Sequence, residues 1–413
     1  MENINYMHEY GSELKSELKN ILNYWRAYTV DEVNDGFIGK IDHANIRYGG
    51  AEKGAVLNAR ILWAFSAAYN FEADSVYLIY AERAYQYISQ YLTDREYGGI
   101  YWSVTYSGEP VDTRKQVYAN AFVIYALAEY YKAVNKNEIK QQAISLYNLL
   151  VDKSYDIQYT GYFEAFTREW EPIDDLRLSA KDANEKKSMN THLHVLEAYA
   201  NLYTIWPDDG LKRQIIGLLK NFSDLIIDSD TFHLQLFFDE KWNRRSSIVS
   251  YGHDIEAAWL LLEAAEIIGE EQLITRFQDY AVKMADSALE GIDTADGGLW
   301  YEYDPAHGGL VREKHWWVQA EAMVGYLNAW QLTGEWKYAA ISIRLWQFVQ
   351  QHIIDSKNGE WVWGVHADGS LMAHEDKVGI WKCPYHNSRT CIEIHRRIVR
   401  SEQMLTPSQL LNG

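Results

Sequence analysis

Two kinds of helical pattern alternate along the chain. The segment Ser12–Tyr28 lines up Leu14, Leu18, Ile21, Leu22 and Trp25 on one stripe with charges opposite, which predicts a helix buried on one side only. The segment Gly54–Phe71 is apolar on nearly every face and predicts a helix buried all round. The alternation recurs. Further one-sided segments are Asp74–Leu92, Asn137–Tyr155, Gly210–Ile227, Glu270–Leu289 and Glu335–Ile354. Further all-round segments begin near Gln116, Lys186, Tyr251, Lys314 and Pro384, so that starts recur every ~60–70 residues. A Gly/aromatic, hairpin-like piece precedes each all-round segment, as in Y-G-G-I-Y-W-S-V at Tyr97, D-G-G-L-W-Y-E-Y at Asp296 and N-G-E-W-V-W-G-V at Asn358.

Six such pairs predict two concentric rings. The fold class is all-α, an (α/α)6 barrel of six inner and six outer helices, with short β-hairpins gathered where the inner helices begin. No linker or low-complexity stretch divides the chain, so residues 1–413 are expected to form one domain.

Polar residues inside an all-round apolar helix are costly unless paired or used. Here they cluster within about two turns of the inner helix starts, hence at one mouth of the barrel. Arg60 lies on the first inner helix, Tyr118 and Asn120 on the second, and Asn190, His192 and His194 on the third. The fourth carries His253 and Glu256, three apart and so on one face. The fifth carries Trp316, Trp317, Gln319 and Glu321, and the sixth opens with W-K-C-P-Y-H-N-S-R, which contains Trp381, His386, Asn387 and Arg389. A scatter of satisfied core polars has no reason to favour one end, so the mouth is read as a functional site. Asn120, Gln319 and Glu321 serve equally well as ties between helices. His192 and His194, two apart, cannot share a face, so one of them points away. Trp259 and Trp330 are read as packing.

Composition narrows the chemistry. Against 39 basic residues stand 58 acidic ones, a net charge of −19 that argues against nucleic acid or an anionic membrane as partner. The 16 Trp and 31 Tyr suit carbohydrate faces as well as cores. The N-terminal residues lack a signal pattern and no run of 18 apolar residues occurs, so a soluble, cytoplasmic protein is expected. Cys383 and Cys391 suggest neither a disulfide framework nor a zinc site. His253 and Glu256 have ligand-like spacing, but no E-x-x-H motif on another inner helix accompanies them, and neither metal nor cofactor is expected. Histidines dominate the mouth, which favours acid–base work near neutral pH over the paired carboxylates of glycoside hydrolysis.

Taken together, R-I-L-W around Arg60, Y-G-G-I-Y-W, M-N-T-H-L-H, S-Y-G-H-D-I-E-A-A-W, W-W-V-Q-A-E-A and W-K-C-P-Y-H-N-S-R resemble the N-acylglucosamine 2-epimerase superfamily. The likeness spans essentially the whole chain, and Y-G-H-D-I-E and W-K-C-P-Y-H are closest to the branch that epimerises cellobiose. The resemblance implies an (α/α)6 barrel in which His253 and His386 are the acid/base pair. By the same resemblance Arg60 and His194 act at the reacting end of the sugar, with Tyr118, Asn190 and Glu256 as further polar contacts. Trp316 and Trp381 are implied to hold two sugar rings, and Asp182 to make another sugar contact. The implied activity is inversion of C2 in the reducing-end glucose of β-1,4-linked disaccharides (cellobiose to glucosyl-mannose, lactose to epilactose) through an enediolate. Aldose–ketose isomerisation of mannose or glucose-type sugars and a non-catalytic sugar-binding barrel are the competing readings. The expected partner is a small disaccharide and the expected state a monomer.

Overall fold

The computed structural model describes residues 2–404. Among the described residues twelve α-helices alternate between two rings. The outer helices are α1 (Glu2–Tyr28), α3 (Val76–Tyr87), α5 (Asn137–Ser154), α7 (Asp209–Asn221), α9 (Glu271–Ala288) and α11 (Trp336–Phe348). The inner helices are α2 (Ala55–Glu72), α4 (Val117–Val134), α6 (Met189–Tyr203), α8 (Tyr251–Ile268), α10 (Trp316–Thr333) and α12 (Tyr385–Met404). Each inner helix packs on the next, and α12 packs back on α2, so the inner ring closes. The architecture is the (α/α)6 barrel that the alternating periodicity implies.

Inner helices crowd tightly enough to need small residues. A Cβ on Gly325 of α10 would lie 2.6 Å from the Ile255 carbonyl of α8, and one on Gly252 would lie 2.7 Å from the Trp317 ring. Four inner helices hand over to the next outer helix through a single left-handed residue (Ala73, Asn135, Gly269 or Gly334), which keeps those connections to two or three residues. Three outer helices end in a π-helical turn, at Ile88–Leu92, Phe222–Ile226 and Val349–Ile353, which accounts for one-sided periodicity running past the last regular turn. At the other extreme α1 begins ten residues before the expected Ser12. Met7 and Tyr10 continue its buried stripe, and Gly11 is a contact point, its carbonyl meeting His395 Nδ1 of α12 at 3.0 Å.

One turn design recurs in all six repeats. An Asp carboxylate accepts the backbone N–H two residues on, at Asp31, Asp94, Asp156, Asp228, Asp293 and Asp355. In five repeats a buried lysine reaches back to that Asp: Lys53, Lys115, Lys187, Lys314 and Lys377, at 2.6–2.8 Å. The hairpins then stitch neighbouring repeats. The first N–H of α2 donates to Trp102 O, that of α4 to Glu164 O, that of α6 to Leu236 O and that of α10 to Trp363 O, all at 2.8–2.9 Å. Each acceptor belongs to the following repeat, and Ile41 N to Val378 O carries the same stitching across the closure. Among the described residues no helix is long and apolar enough to cross a membrane.

Breaking a buried ion pair leaves one charge uncompensated, at a cost of several kcal/mol. Lys53→Met is therefore expected to lower unfolding free energy by about 3 kcal/mol in urea titrations, because Asp31 keeps only its turn hydrogen bonds.

Candidate active site

The inner helices open at the hairpin end onto a cavity of about 450 Å³. Its walls include Arg60 of α2, Tyr118 of α4, Asn190 and His194 of α6, and His253 and Glu256 of α8. Trp316 of α10, His386 of α12, Trp381 just before α12 and Asp182 of the loop ahead of α6 complete the set named from sequence. All ten residues thus share one cavity, although they come from every inner helix or its approach.

Local contacts sort the ambiguous residues. Asn120 Oδ1 accepts Ile100 N–H at 3.0 Å, and Gln319 Oε1 accepts Leu299 N–H at 2.8 Å. His192 Nε2 does the same for Tyr162 N–H at 2.8 Å while its Nδ1 meets Ser188 O at 2.6 Å. Asp254 Oδ1 accepts Leu234 N–H at 2.7 Å. All four clasp a hairpin to the start of an inner helix, so of the two close histidines it is His192 that turns away. Burial pushes the His192 imidazole down to about 3, and it stays neutral.

The cavity histidines differ in what stands behind them. Among the described residues His253 Nδ1 meets only the Ser250 hydroxyl, at 2.8 Å, and burial, followed by the proximity of the His194 imidazole, pushes its own imidazole down to about 3. His194 Nδ1 meets Glu197 Oε2 at 2.9 Å, and His386 Nδ1 meets Glu321 Oε1 at 2.6 Å. Both rings are nevertheless held below the usual imidazole range, His194 by burial and His386 by burial and then the Arg60 and Arg389 charges. Each is a neutral base able to take a proton. Trp317 packs against both His253 and His386, its centroid 4.7 Å from that of His253 and 5.8 Å from that of His386.

Arg60 donates from Nη2 to Tyr118 OH at 2.7 Å, and its guanidinium sits 4.2 Å from the Phe122 ring centroid. Burial alone weakens a cation, but the Tyr118, Cys383 and Tyr385 groups around it outweigh that and it remains protonated. Glu256 and Glu321 both receive Arg389 Nη2 at 2.7 Å, and burial raises both above the ordinary carboxylate range, Glu256 further through its neighbour Glu321. Glu321 has both oxygens engaged, by His386 and Arg389 on Oε1 and by Trp259 Nε1 at 3.3 Å on Oε2. A proton held by the pair therefore belongs on Glu256, which faces the cavity.

Asp182 lines the cavity, but one of its oxygens already accepts Ser179 N–H at 2.8 Å within its own loop, and burial raises its carboxyl. Residues 176–183 of that loop form one wall of the cavity and carry no periodicity that could have announced them. Trp363, Tyr301 and His315 line the cavity too. Trp363 packs 4.5 Å from Trp316, and Tyr301 stacks on His315 at 4.0 Å. Their signal in the sequence was the aromatic content of the hairpins. Trp316 Nε1, Trp363 Nε1 and Asn190 Oδ1 are buried without a protein partner.

His253 turns its Nδ1 to Ser250 and not to Glu256. Among the described residues one cluster has donor atoms close enough for a metal, Glu256, Glu321 and His386 within 4.8 Å. The cation these groups already face is the Arg389 guanidinium.

Fold and site together define an (α/α)6 barrel whose mouth holds neutral histidines, a fixed arginine and paired aromatics. The family model for N-acylglucosamine 2-epimerase (GlcNAc 2-epimerase) matches residues 36–389, and the chain belongs to that family. The chain is 48% identical to a cellobiose 2-epimerase of Bacteroides fragilis, over 92% of this chain and 97% of that one. The solved structure of cellobiose 2-epimerase from Bacillus thermoamylovorans superposes with a TM-score of 0.90 at 38% identity, covering 94% of this chain and all of that one. A D-mannose isomerase of Marinomonas mediterranea is more distant, 24% identical over 82% of this chain and 85% of its own length.

His192 and His194 separate structure from chemistry. His192→Asn, which reproduces the Asn120 clasp, is expected to keep activity within a few-fold, whereas His194→Asn is expected to lose on the order of 10²-fold in kcat. A depressed histidine contributes stability that is complete above its unfolded value of ~6.5 and is lost as pH falls towards its folded value. The stability advantage of the wild type over His192→Asn is therefore expected to shrink by about 2 kcal/mol between pH 7 and pH 5. Denaturant titrations at the two pH values check this.

Proposed function

We propose that the chain is a carbohydrate 2-epimerase acting on β-1,4-linked disaccharides, inverting C2 of the reducing-end glucose so that cellobiose becomes glucosyl-mannose and lactose becomes epilactose. The observation that carries this reading is the placement of two neutral imidazoles, His253 and His386, on separate walls of one cavity that also contains Arg60.

A C2–H becomes acidic only next to a carbonyl, so the sugar ring opens first, with a proton delivered to O5 and one lost from the C1 hydroxyl. One imidazole then removes the C2 proton. The electron pair moves through C2–C1 onto O1, giving an enediolate. Arg60, permanently cationic, supplies the fixed donor for the charge on O1, and His194, whose bare Nε2 takes the C1 hydroxyl proton as the ring opens, then holds that proton towards O1. The electron pair on O1 then re-forms the C1 carbonyl as C2 is protonated on its opposite face, either by the imidazolium just formed after the enediolate turns, or by the second imidazole once it has itself taken up a proton. The histidines on α8 and α12 give access to both faces. Glu256, carrying the proton of its pair, offers a donor to a sugar hydroxyl.

Space and aromatics support a disaccharide. About 450 Å³ lies within the usual range for a small-ligand site. Trp381 sits 5.9 Å from Tyr118, which bonds Arg60, and so flanks the reacting ring. Trp316 and Trp363 form a second aromatic wall whose indole N–H groups lack partners, as donors awaiting sugar hydroxyls do. Returning the proton to C1 instead of C2 gives a ketose, the competing outcome. The same reading has the protein act as a cytoplasmic monomer on a small soluble sugar, with neither nucleic acid nor membrane as partner; the net charge of −19 supports the latter two exclusions.

Incubation with cellobiose in heavy water, followed by NMR, is expected to give a mannose-type reducing end bearing deuterium at C2. A ketose product would move the assignment to aldose–ketose isomerisation, and unchanged cellobiose would sink the enzyme reading. His253→Asn and His386→Asn are each expected to reduce kcat by about 10²–10⁴-fold. Prolonged treatment with a chelator is expected to leave the rate unchanged; its loss would point to a metal at Glu256, Glu321 and His386.

A further inference from the structure

Beneath the cavity floor lies a charged group that the chemistry above does not use. Arg389 is 2% exposed and does not line the cavity, nor do Glu197 and Glu321. Its Nη1 donates to Glu197 Oε1 and Tyr385 OH, and its Nη2 donates to Glu256 Oε1 and Glu321 Oε1, both at 2.7 Å. Two of these three carboxylates hold Nδ1 of two cavity histidines, Glu197 that of His194 and Glu321 that of His386. Tyr385 OH also donates to Glu197 Oε1, closing the network.

We infer that Arg389 is a positioning residue for the epimerisation: one guanidinium fixes the two carboxylates that orient His194 and His386, so both rings direct Nε2 at the sugar as a single unit. The planar fork of Arg suits this task and a point charge does not, because carboxylates from three helices must be met at fixed angles. A carboxylate that accepts N–H at Nδ1 sets the tautomer and leaves Nε2 bare. Since Glu321 Oε1 takes both Arg389 and His386, the guanidinium keeps that oxygen an acceptor. His253, backed by Ser250 alone, stands outside the frame.

The frame also sets protonation. The groups facing it are Arg60 from α2, Tyr118 and Tyr125 from α4, and His194 and Glu197 from α6. From α8 come His253, Glu256 and Glu263, from α10 Glu321, and from α12 itself Tyr385, His386, Glu393 and Arg397. Removing the Arg389 cation leaves the acidic groups in excess, so every nearby proton is held more tightly.

The test has one arm that depends on the proposed epimerase activity and one that does not. In Arg389→Met, KM for cellobiose is expected to stay within a few-fold while kcat falls on the order of 10²-fold. The acid limb of its pH profile is expected to move up by about one pH unit. Arg389→Lys restores the charge but not the fork, so it should return the acid limb towards the wild type and leave kcat low. Independently of turnover, ¹⁵N-histidine NMR of the wild type is expected to show His194 and His386 as Nδ1–H tautomers with far-downfield Nδ1 protons. Glu197→Gln, which changes one carboxylate without altering side-chain size, is expected to shift the Nδ1 proton of His386, which Glu197 does not touch. If Glu197→Gln alters His194 alone, or if folded Arg389→Met keeps both downfield protons and the wild-type pH profile, the frame is overturned. If the NMR arm holds and no cellobiose turnover is found, it is the epimerase reading that fails.

Discussion

A helix buried on every side leaves its first N–H groups without water, and in this barrel several such ends meet at one mouth. The hairpins resolve the problem by supplying a carbonyl from the next repeat, as Trp102 O does for α2 and Glu164 O for α4. Side chains on the helix then return the contact: Asn120, His192, Asp254 and Gln319 each take a backbone N–H from a hairpin. These reciprocal bonds run around the ring and hold the helix starts at one level. The cavity exists because the stitching does. Side chains two residues to either side of a clasp, Asn190 and His194 beside His192 and Glu256 beside Asp254, are left facing inwards around one volume.

Electrostatics inside that volume follow from how little water reaches it. Histidines that titrate near neutrality in water are held as free bases, while carboxylates survive as ions only where a cation meets them. Glu197 is the clearest case: burial pushes it up, but Arg389 and then His194 outweigh burial and bring it down to about 2. Among the described residues Glu164 has no cation in ion-pair reach; burial raises it to about 8, and it serves instead as an anchor for Ser188 N–H and Thr191 OH at the start of α6. Two buried carboxyl groups thus differ in state because their neighbours differ.

Much of this was written in the sequence, and what was not has a physical reason. The change from one-sided to all-round apolar periodicity gave the two rings, and polar residues near the inner helix starts gave the mouth. The residue types at His192 and His194 could not say which faced inwards, since both are buried; only the Tyr162 N–H and Ser188 carbonyl on either side of His192 decide it. The lysines at 53, 115, 187 and 314 lie two residues ahead of their inner helices and Lys377 eight ahead, yet they look like ordinary surface charges until their Asp partners fold back on them. The loop at 176–183 has neither periodicity nor a motif. Arg389 stood in the last motif, but its partners Glu197, Glu256 and Glu321 are scattered over three other helices, and nothing short of the closed ring brings them together.

The proposed chemistry requires one geometry, in which the C2 carbon of an opened disaccharide lies within reach of both His253 and His386. A crystal structure with the alditol of cellobiose, which cannot close its ring, tests it directly. The expected result places C2 within hydrogen-bond reach of both Nε2 atoms, O1 on Arg60 and His194, and the distal ring against Trp316. An alditol bound in the cavity with C2 beyond reach of either histidine would contradict the account.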